Sequence, residues 1–133
     1  NKELQPAEIY QVFEEKFVGI TEPYHIMEVH FKQVNGITTE VTTTYKGEKK
    51  VTTANGNGRL DAVSNALKKA YGFDYKLVTY QEHALTKGTS SSAIAYVGIQ
   101  TPNGKLHWGA AIDPDIIRAS IDALLTAINH SVK

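Results

Sequence analysis

The residues able to do chemistry are few and scattered. Tyr80-Gln81-Glu82-His83 sets a phenol, a carboxylate and an imidazole close together. Such a set could move a proton, but Glu82 and His83 are neighbours on an alternating stretch and point to opposite faces. No nucleophile accompanies them, and structural hydrogen bonding is the simpler role. Ser90-Ser91-Ser92 offers hydroxyls without a paired base and reads as a loop entering a strand. His25, His30, His83, His107 and His130 never adopt the His-x-His or His-x-x-x-His spacing that turns two imidazoles toward one metal. His25 and His30 are an odd number apart on a strand, so they are expected on opposite faces. Gly56-Asn57-Gly58-Arg59 is glycine-rich, but no Gly-Lys-Ser/Thr follows to cradle a phosphate. Its plain reading is a turn with left-handed glycines. The three lysines between Lys46 and Lys50 suit a solvated hairpin tip, and Trp108 suits a core or an interface. No catalytic constellation emerges, which favours a binding module over an enzyme.

Composition narrows the classes further. The chain has 133 residues, with 14 Lys+Arg balanced by 14 Asp+Glu. That balance argues against a nucleic-acid partner, which calls for a basic excess. Hydrophobic residues at 41% and charged residues at 21% describe a globular domain. The absence of Cys removes disulfides, thiolate metal sites and thiol catalysis together. No apolar run approaches the roughly 20 residues of a membrane helix, and the polar start Asn1-Lys2-Glu3 is no signal peptide. The chain starts without Met, just ahead of an expected helix. It is therefore read as a C-terminal piece of something larger, with N-terminal processing as the alternative.

The elements that must position these residues follow from periodicity. Pro6-Ala7-Glu8 opens a helix whose apolar residues Ile9, Val12, Phe13 and Phe17 repeat up to Gly19. From Tyr24 the period becomes two, with Met27, Val29 and Phe31 on one face and Glu28, His30 and Lys32 on the other. Asn35-Gly36 and Lys46-Gly47 are hairpin turns, giving strands from Ile37 to Tyr45 and from Glu48 to Ala54. Leu60, Val63, Leu67, Ala70 and Tyr71 return to helical spacing, closed by Gly72. The plan then repeats. A strand runs from Phe73 toward Leu85, a second carries Ala93 to Ile99, and a third runs from Leu106 to Ile112. Asp113 is expected as N-cap, with Pro114 as first residue, of a helix with stripe Ile117, Ile121, Leu124 and Ile128.

The reading is thus an α+β fold: an N-terminal helix over residues 1–19, then a domain over 20–133 of two βββα units, about 20–72 and 73–133. Ala62, Ala66, Leu67 and Ala70 align with Ala119, Ala123, Leu124 and Ala127 at one offset, as a duplication would leave them. Two such units can bury their open faces against each other about a pseudo-twofold axis, setting their strand-to-helix junctions near the axis. Helix N-termini there could meet a small carboxylate, with glycines allowing close approach.

A family resemblance runs through the same residues. Asn55-Gly56-Asn57-Gly58-Arg59-Leu60-Asp61-Ala62, Tyr80-Gln81-Glu82-His83-Ala84-Leu85, Ala95-Tyr96-Val97 and Trp108-Gly109-Ala110-Ala111-Ile112 occur in that order before a terminal helix. The chain resembles the C-terminal allosteric (dimerisation) domain of 2-isopropylmalate synthase, an enzyme of leucine biosynthesis, over about residues 20–133. The resemblance implies a homodimer. It also implies L-leucine bound at the junction between the units as a feedback inhibitor of a separate catalytic barrel in the same parent chain. Carried over by position, the effector site comprises Gly56, Asn57, Gly58, Leu60 and Asp61, then Leu77, Tyr80, Ala84, Ser91 and Ala93, then Pro114 and Ile116. Leu60, Leu77, Ala84, Ala93 and Ile116 would line an isobutyl-sized pocket, junction N–H groups would meet the carboxylate, and backbone carbonyls or Asp61 would accept the ammonium. Arg59 before Leu60 and Ser91 in place of a small apolar residue depart from the family's pattern.

The resemblance implies that this piece carries no metal or other cofactor; the family's divalent metal belongs to the barrel, bound through a His-x-His pair this chain lacks. The piece alone is expected not to condense acetyl-CoA with 2-oxoisovalerate, and the parent is expected in the cytoplasm, or in an organelle if eukaryotic. The alternatives are an isoleucine-sensing domain of a citramalate synthase and a ligand-free dimerisation module.

Overall fold

The computed structural model describes residues 22–33, 36–87 and 90–133. The expected first helix, Asn35 of the first hairpin turn, and Gly88-Thr89 of the later loop lie outside the described residues. The element order is β1 (Tyr24–Gln33), β2 (Ile37–Tyr45), β3 (Glu48–Gly56), α1 (Arg59–Tyr71), β4 (Lys76–Lys87), β5 (Ser90–Gln100), β6 (Leu106–Asp113) and α2 (Ile116–Ser131). Two antiparallel three-stranded sheets form, ordered β1-β2-β3 and β4-β5-β6, each followed by its helix. This is the expected α+β plan of two βββα modules. The chain divides between Asp74 and Tyr75 into two compact units.

In the first unit, the β2–β3 turn has Lys46 and Gly47 both at positive φ (50° and 80°), which matches the right-handed twist of the strands it joins. Helix α1 packs on β3 and β2. Ala62, Val63, Ala66 and Leu67 meet Thr39, Val41, Thr43 and Thr52 as a buried layer. Gly72 ends the helix in the left-handed conformation (φ 71°), its N–H bonded to the Lys68 carbonyl. At that end Tyr24 stacks on Tyr45 and meets Tyr71 and Phe73 edge-on, with centroids 4.7–4.9 Å apart. The Tyr71 hydroxyl bonds Thr43 at 2.7 Å.

In the second unit α2 packs on β6 and β5. Its small residues Ala119, Ala123 and Ala127 are fully buried, as are Val97 and Ile99 beneath. A Cβ on Gly109 would fall 2.6 Å from the Ala127 nitrogen and against the Ala123 carbonyl, so β6 and α2 touch backbone to backbone. The other sheet face carries Ile94, Tyr96 and Ala110, buried with Leu85 and Ile112 around them. On that face the Trp108 ring lies over Gly98, where a Cβ would come within 2.7 Å of it.

Four expectations change. First, both leading strands bulge: β1 slips register between Ile26 and Glu28, and β4 between Leu77 and Thr79. A bulge adds one residue and reverses the alternation beyond it. Met27 therefore leaves the face of Val29 and is 61% exposed. Second, His25 and His30 pair with Thr44 and Glu40, four apart on β2, so they share a face instead of opposing each other. Third, β4 begins at Lys76 rather than Phe73, because Phe73 joins the tyrosine cluster of the first unit. Fourth, Asp115, not Asp113, caps α2. Its Oδ1 accepts from Ile117 N at 2.9 Å, while Asp113 ends β6 and accepts from Asp115 N at 2.9 Å across Pro114.

Candidate functional site

The residues singled out from sequence fall into two groups, one in each unit. The first surrounds the β3–α1 junction. Neither of its glycines is left-handed, so the plain turn reading does not hold. Gly56 is the last residue of β3, and a Cβ there would lie 2.7 Å from Ala62 Cα. Its lack of a side chain lets the helix start lie directly on the strand. Gly58 is extended (φ −148°) with open space where a Cβ would stand, and it serves as N-cap without any side-chain hydrogen bond. Asp61 Oδ2 accepts from Asn57 N at 2.8 Å, which holds the loop and sets one carboxylate in the first turn. Asn65 reaches back to the Asn55 carbonyl at 2.9 Å. Leu60 is buried at 9% exposure, so it builds the unit's core more than any open surface.

The two junctions, alike in sequence logic, differ in chemistry. The offset that aligns Ala62 with Ala119 also aligns the caps Gly58 and Asp115 and the first helical residues Arg59 and Ile116. At α2 the Asp115 carboxylate fills the N-terminus. At α1 the glycine leaves first-turn N–H groups without a side-chain cap, which suits an incoming anion.

The second group lies along β4 and the start of α2. Among the described residues, α2 packs on β5 and β6 rather than on the helix-side face of β4. Register puts Leu77, Tyr80 and Ala84 opposite Ile99, Val97 and Ala93. Val97 in turn pairs with Gly109, which lies under α2. Leu77 and Tyr80 are an odd number apart and share this face only through the bulge at Val78. Both are 39% exposed and, with Ala84 and the half-buried Ala93, form a largely apolar strip that the exposed Glu82 interrupts between Tyr80 and Ala84. Ser91 is exposed on the same face, Pro114 is exposed in the junction, and Ile116 is the half-buried first residue of α2.

Glu82, read from sequence as a structural hydrogen-bonding residue, and Ser120, not singled out from sequence, hold the strip's aromatic member. Tyr80 Oη donates to Glu82 Oε2 at 2.6 Å and lies 2.7 Å from Ser120 Oγ. Burial and the Glu82 carboxylate push the phenol above its usual range, while the Ser120 contact pulls it back in part. Alternation already places Tyr80 and Glu82 on one face; no sequence pattern links Tyr80 to Ser120, 40 residues on.

Elsewhere, His107 and His130 stand edge to face at 5.8 Å. No group of three or more potential metal ligands occurs among the described residues. An open groove of about 400 Å³ is lined by Glu22, Pro23, His25, Met27, Thr44, Lys46 and Gly47, none of them singled out from sequence as site residues. No helix among the described residues is long and apolar enough to cross a membrane.

Two consecutive βββα modules define a small α+β domain. The chain belongs to the LeuA allosteric (dimerisation) domain family, whose model matches residues 3–132. It is 42% identical over its whole length to a 2-isopropylmalate synthase of Desulfitobacterium hafniense, covering 24% of that protein. It is 36% identical over 99% of its length to the 2-isopropylmalate synthase of Helicobacter hepaticus, covering 25%. A 2-isopropylmalate synthase of Agrobacterium fabrum is 36% identical over 96% of the chain, with 24% of that protein covered. The chain thus spans about a quarter of the length of these curated relatives.

Proposed function

We propose that this chain is the feedback-regulatory and dimer-forming part of a 2-isopropylmalate synthase, with L-leucine as effector. The observation that carries the reading is the family match from residue 3 to 132. Two features support it, each within its own unit. The start of α1 has a glycine cap and lacks a side-chain acceptor, which suits the carboxylate of an amino acid. The largely apolar strip of Leu77, Tyr80 and Ala84 suits a branched apolar side chain. Leucine acts by differential affinity, favouring one arrangement of the domain over another. The catalytic barrel of the parent performs the condensation, and this portion tunes it.

The test is titration calorimetry of the chain with L-leucine, L-isoleucine and L-alanine, with its oligomeric state followed by ultracentrifugation. Saturable heat with leucine, weaker with isoleucine and much weaker with alanine, on a dimer, is the expected outcome. Tighter isoleucine binding would move the assignment to a citramalate-type sensor. No heat with any of the three would leave a dimerisation module.

A further inference from the structure

The contacts around Tyr80 are one proton short. Tyr80 Oη lies 2.6 Å from Glu82 Oε2 and 2.7 Å from Ser120 Oγ, and Ser120 Oγ lies 2.7 Å from the Ile116 carbonyl oxygen. Three short contacts need three protons. The two hydroxyls bring one each, and neither a carboxylate nor a carbonyl has one to give. One contact must go unmade, and the strength of the other two decides which. The phenol-to-carboxylate contact is charge-assisted and the strongest of the three, and the buried Ser120 hydroxyl is satisfied by donating to the Tyr80 oxygen, whereas the Ile116 carbonyl already accepts from the α2 backbone. The favoured chain therefore runs from Ser120 to Tyr80 to Glu82, and the Ile116 carbonyl is the partner that yields.

We infer that Ser120 is a positioning residue that fixes the Tyr80 ring and so sets the side-chain selectivity of the effector site. Tyr80 projects from β4 rather than from the strands that α2 packs on, and its ring is 39% exposed. The hydroxyl tether to α2 stops that ring from swinging into solvent, and the ring is one wall of the strip that Leu77 and Ala84 complete. Glu82 accepts the phenolic proton and is the hydroxyl's second anchor. The inference rests on the proposed leucine site but is tested separately from it.

The test uses the 133-residue chain with Ser120→Ala, Tyr80→Phe, the double variant, and Glu82→Gln. Leucine and isoleucine are titrated by calorimetry. Ser120→Ala and Tyr80→Phe each remove the tether and should each weaken leucine by about tenfold. Each should narrow the leucine-over-isoleucine preference, and the double variant should lose no more than either alone. Glu82→Gln keeps an acceptor for the phenol but removes its charge, and should weaken leucine by about two- to threefold. Unchanged affinity and preference in Ser120→Ala, or additive losses in the double variant, would overturn the inference. So would a weakening in Glu82→Gln as large as that of Ser120→Ala. If the unaltered chain binds no leucine, the functional reading fails and the tether is judged alone. The 13Cζ resonance of Tyr80, assigned by its loss in Tyr80→Phe, should shift in Ser120→Ala, and an unmoved resonance refutes the tether.

Discussion

Gly56 and Ala62 meet without a side chain between them: a Cβ on the glycine would lie 2.7 Å from Ala62 Cα. Strand and helix are thus in backbone contact where α1 begins, and Gly109 makes the same kind of contact with α2. Backbone cannot move aside as the end of a flexible side chain can. Gly56→Ala and Gly109→Ala should each cost about 2–3 kcal/mol. Gly58→Ala, with open space at its Cβ, should cost under about 1 kcal/mol. Urea denaturation orders the three, and a Gly56→Ala as stable as Gly58→Ala would refute the close contact.

Gly58 offers a sharper probe of ligand chemistry. Its backbone is extended, a conformation any residue adopts, and its position is a helix N-cap. Gly58→Ser supplies the missing cap and should leave stability equal or raise it by a few tenths of a kcal/mol. The same hydroxyl occupies the donors proposed for the effector carboxylate, so leucine binding should weaken by about tenfold or more. Calorimetry alongside thermal melting checks both halves. A variant that keeps full leucine affinity would remove α1 as the carboxylate site.

His107 sets a pH dependence. It is 6% exposed on β6, and burial first, then His130, then Lys105, hold its pKa below the usual 6.5. The unfolded chain therefore binds a proton at this position more readily than the folded chain. Stability is fully present above the unfolded value of 6.5 and is lost as pH falls from there toward the depressed folded value. Urea midpoints measured from about pH 8 down to about pH 5 should fall less steeply in His107→Gln than in the unaltered chain. Parallel curves would show that His107 carries none of the dependence.

The order βββα-βββα was legible because it rests on local pattern. A period of two gave way to 3.6 after Gly56-Asn57-Gly58 and again after Asp113-Pro114, and Gly72 ended α1 as a helix-terminating glycine does. The candidate residues were legible only as a list. Alternation set Leu77 with Thr79, but the bulge at Val78 turns Leu77 to the face of Tyr80 instead. An extra residue in one strand is defined against its partner, so a single strand's pattern does not reveal it. Asp113 is the cap that Pro114 as a first helical residue implies, yet Asp115 caps α2 because β6 extends through Asp113.

What the amino-acid order determined by itself was the identity and succession of the elements, since these depend on residues a few positions apart. Tertiary structure alone decided which glycines lie against backbone, which helix start lacks a side-chain cap, and that Tyr80 meets Ser120. Each of these depends on how closely a helix lies on its sheet. That distance is set by the summed packing of many side chains and is written in no single stretch of sequence.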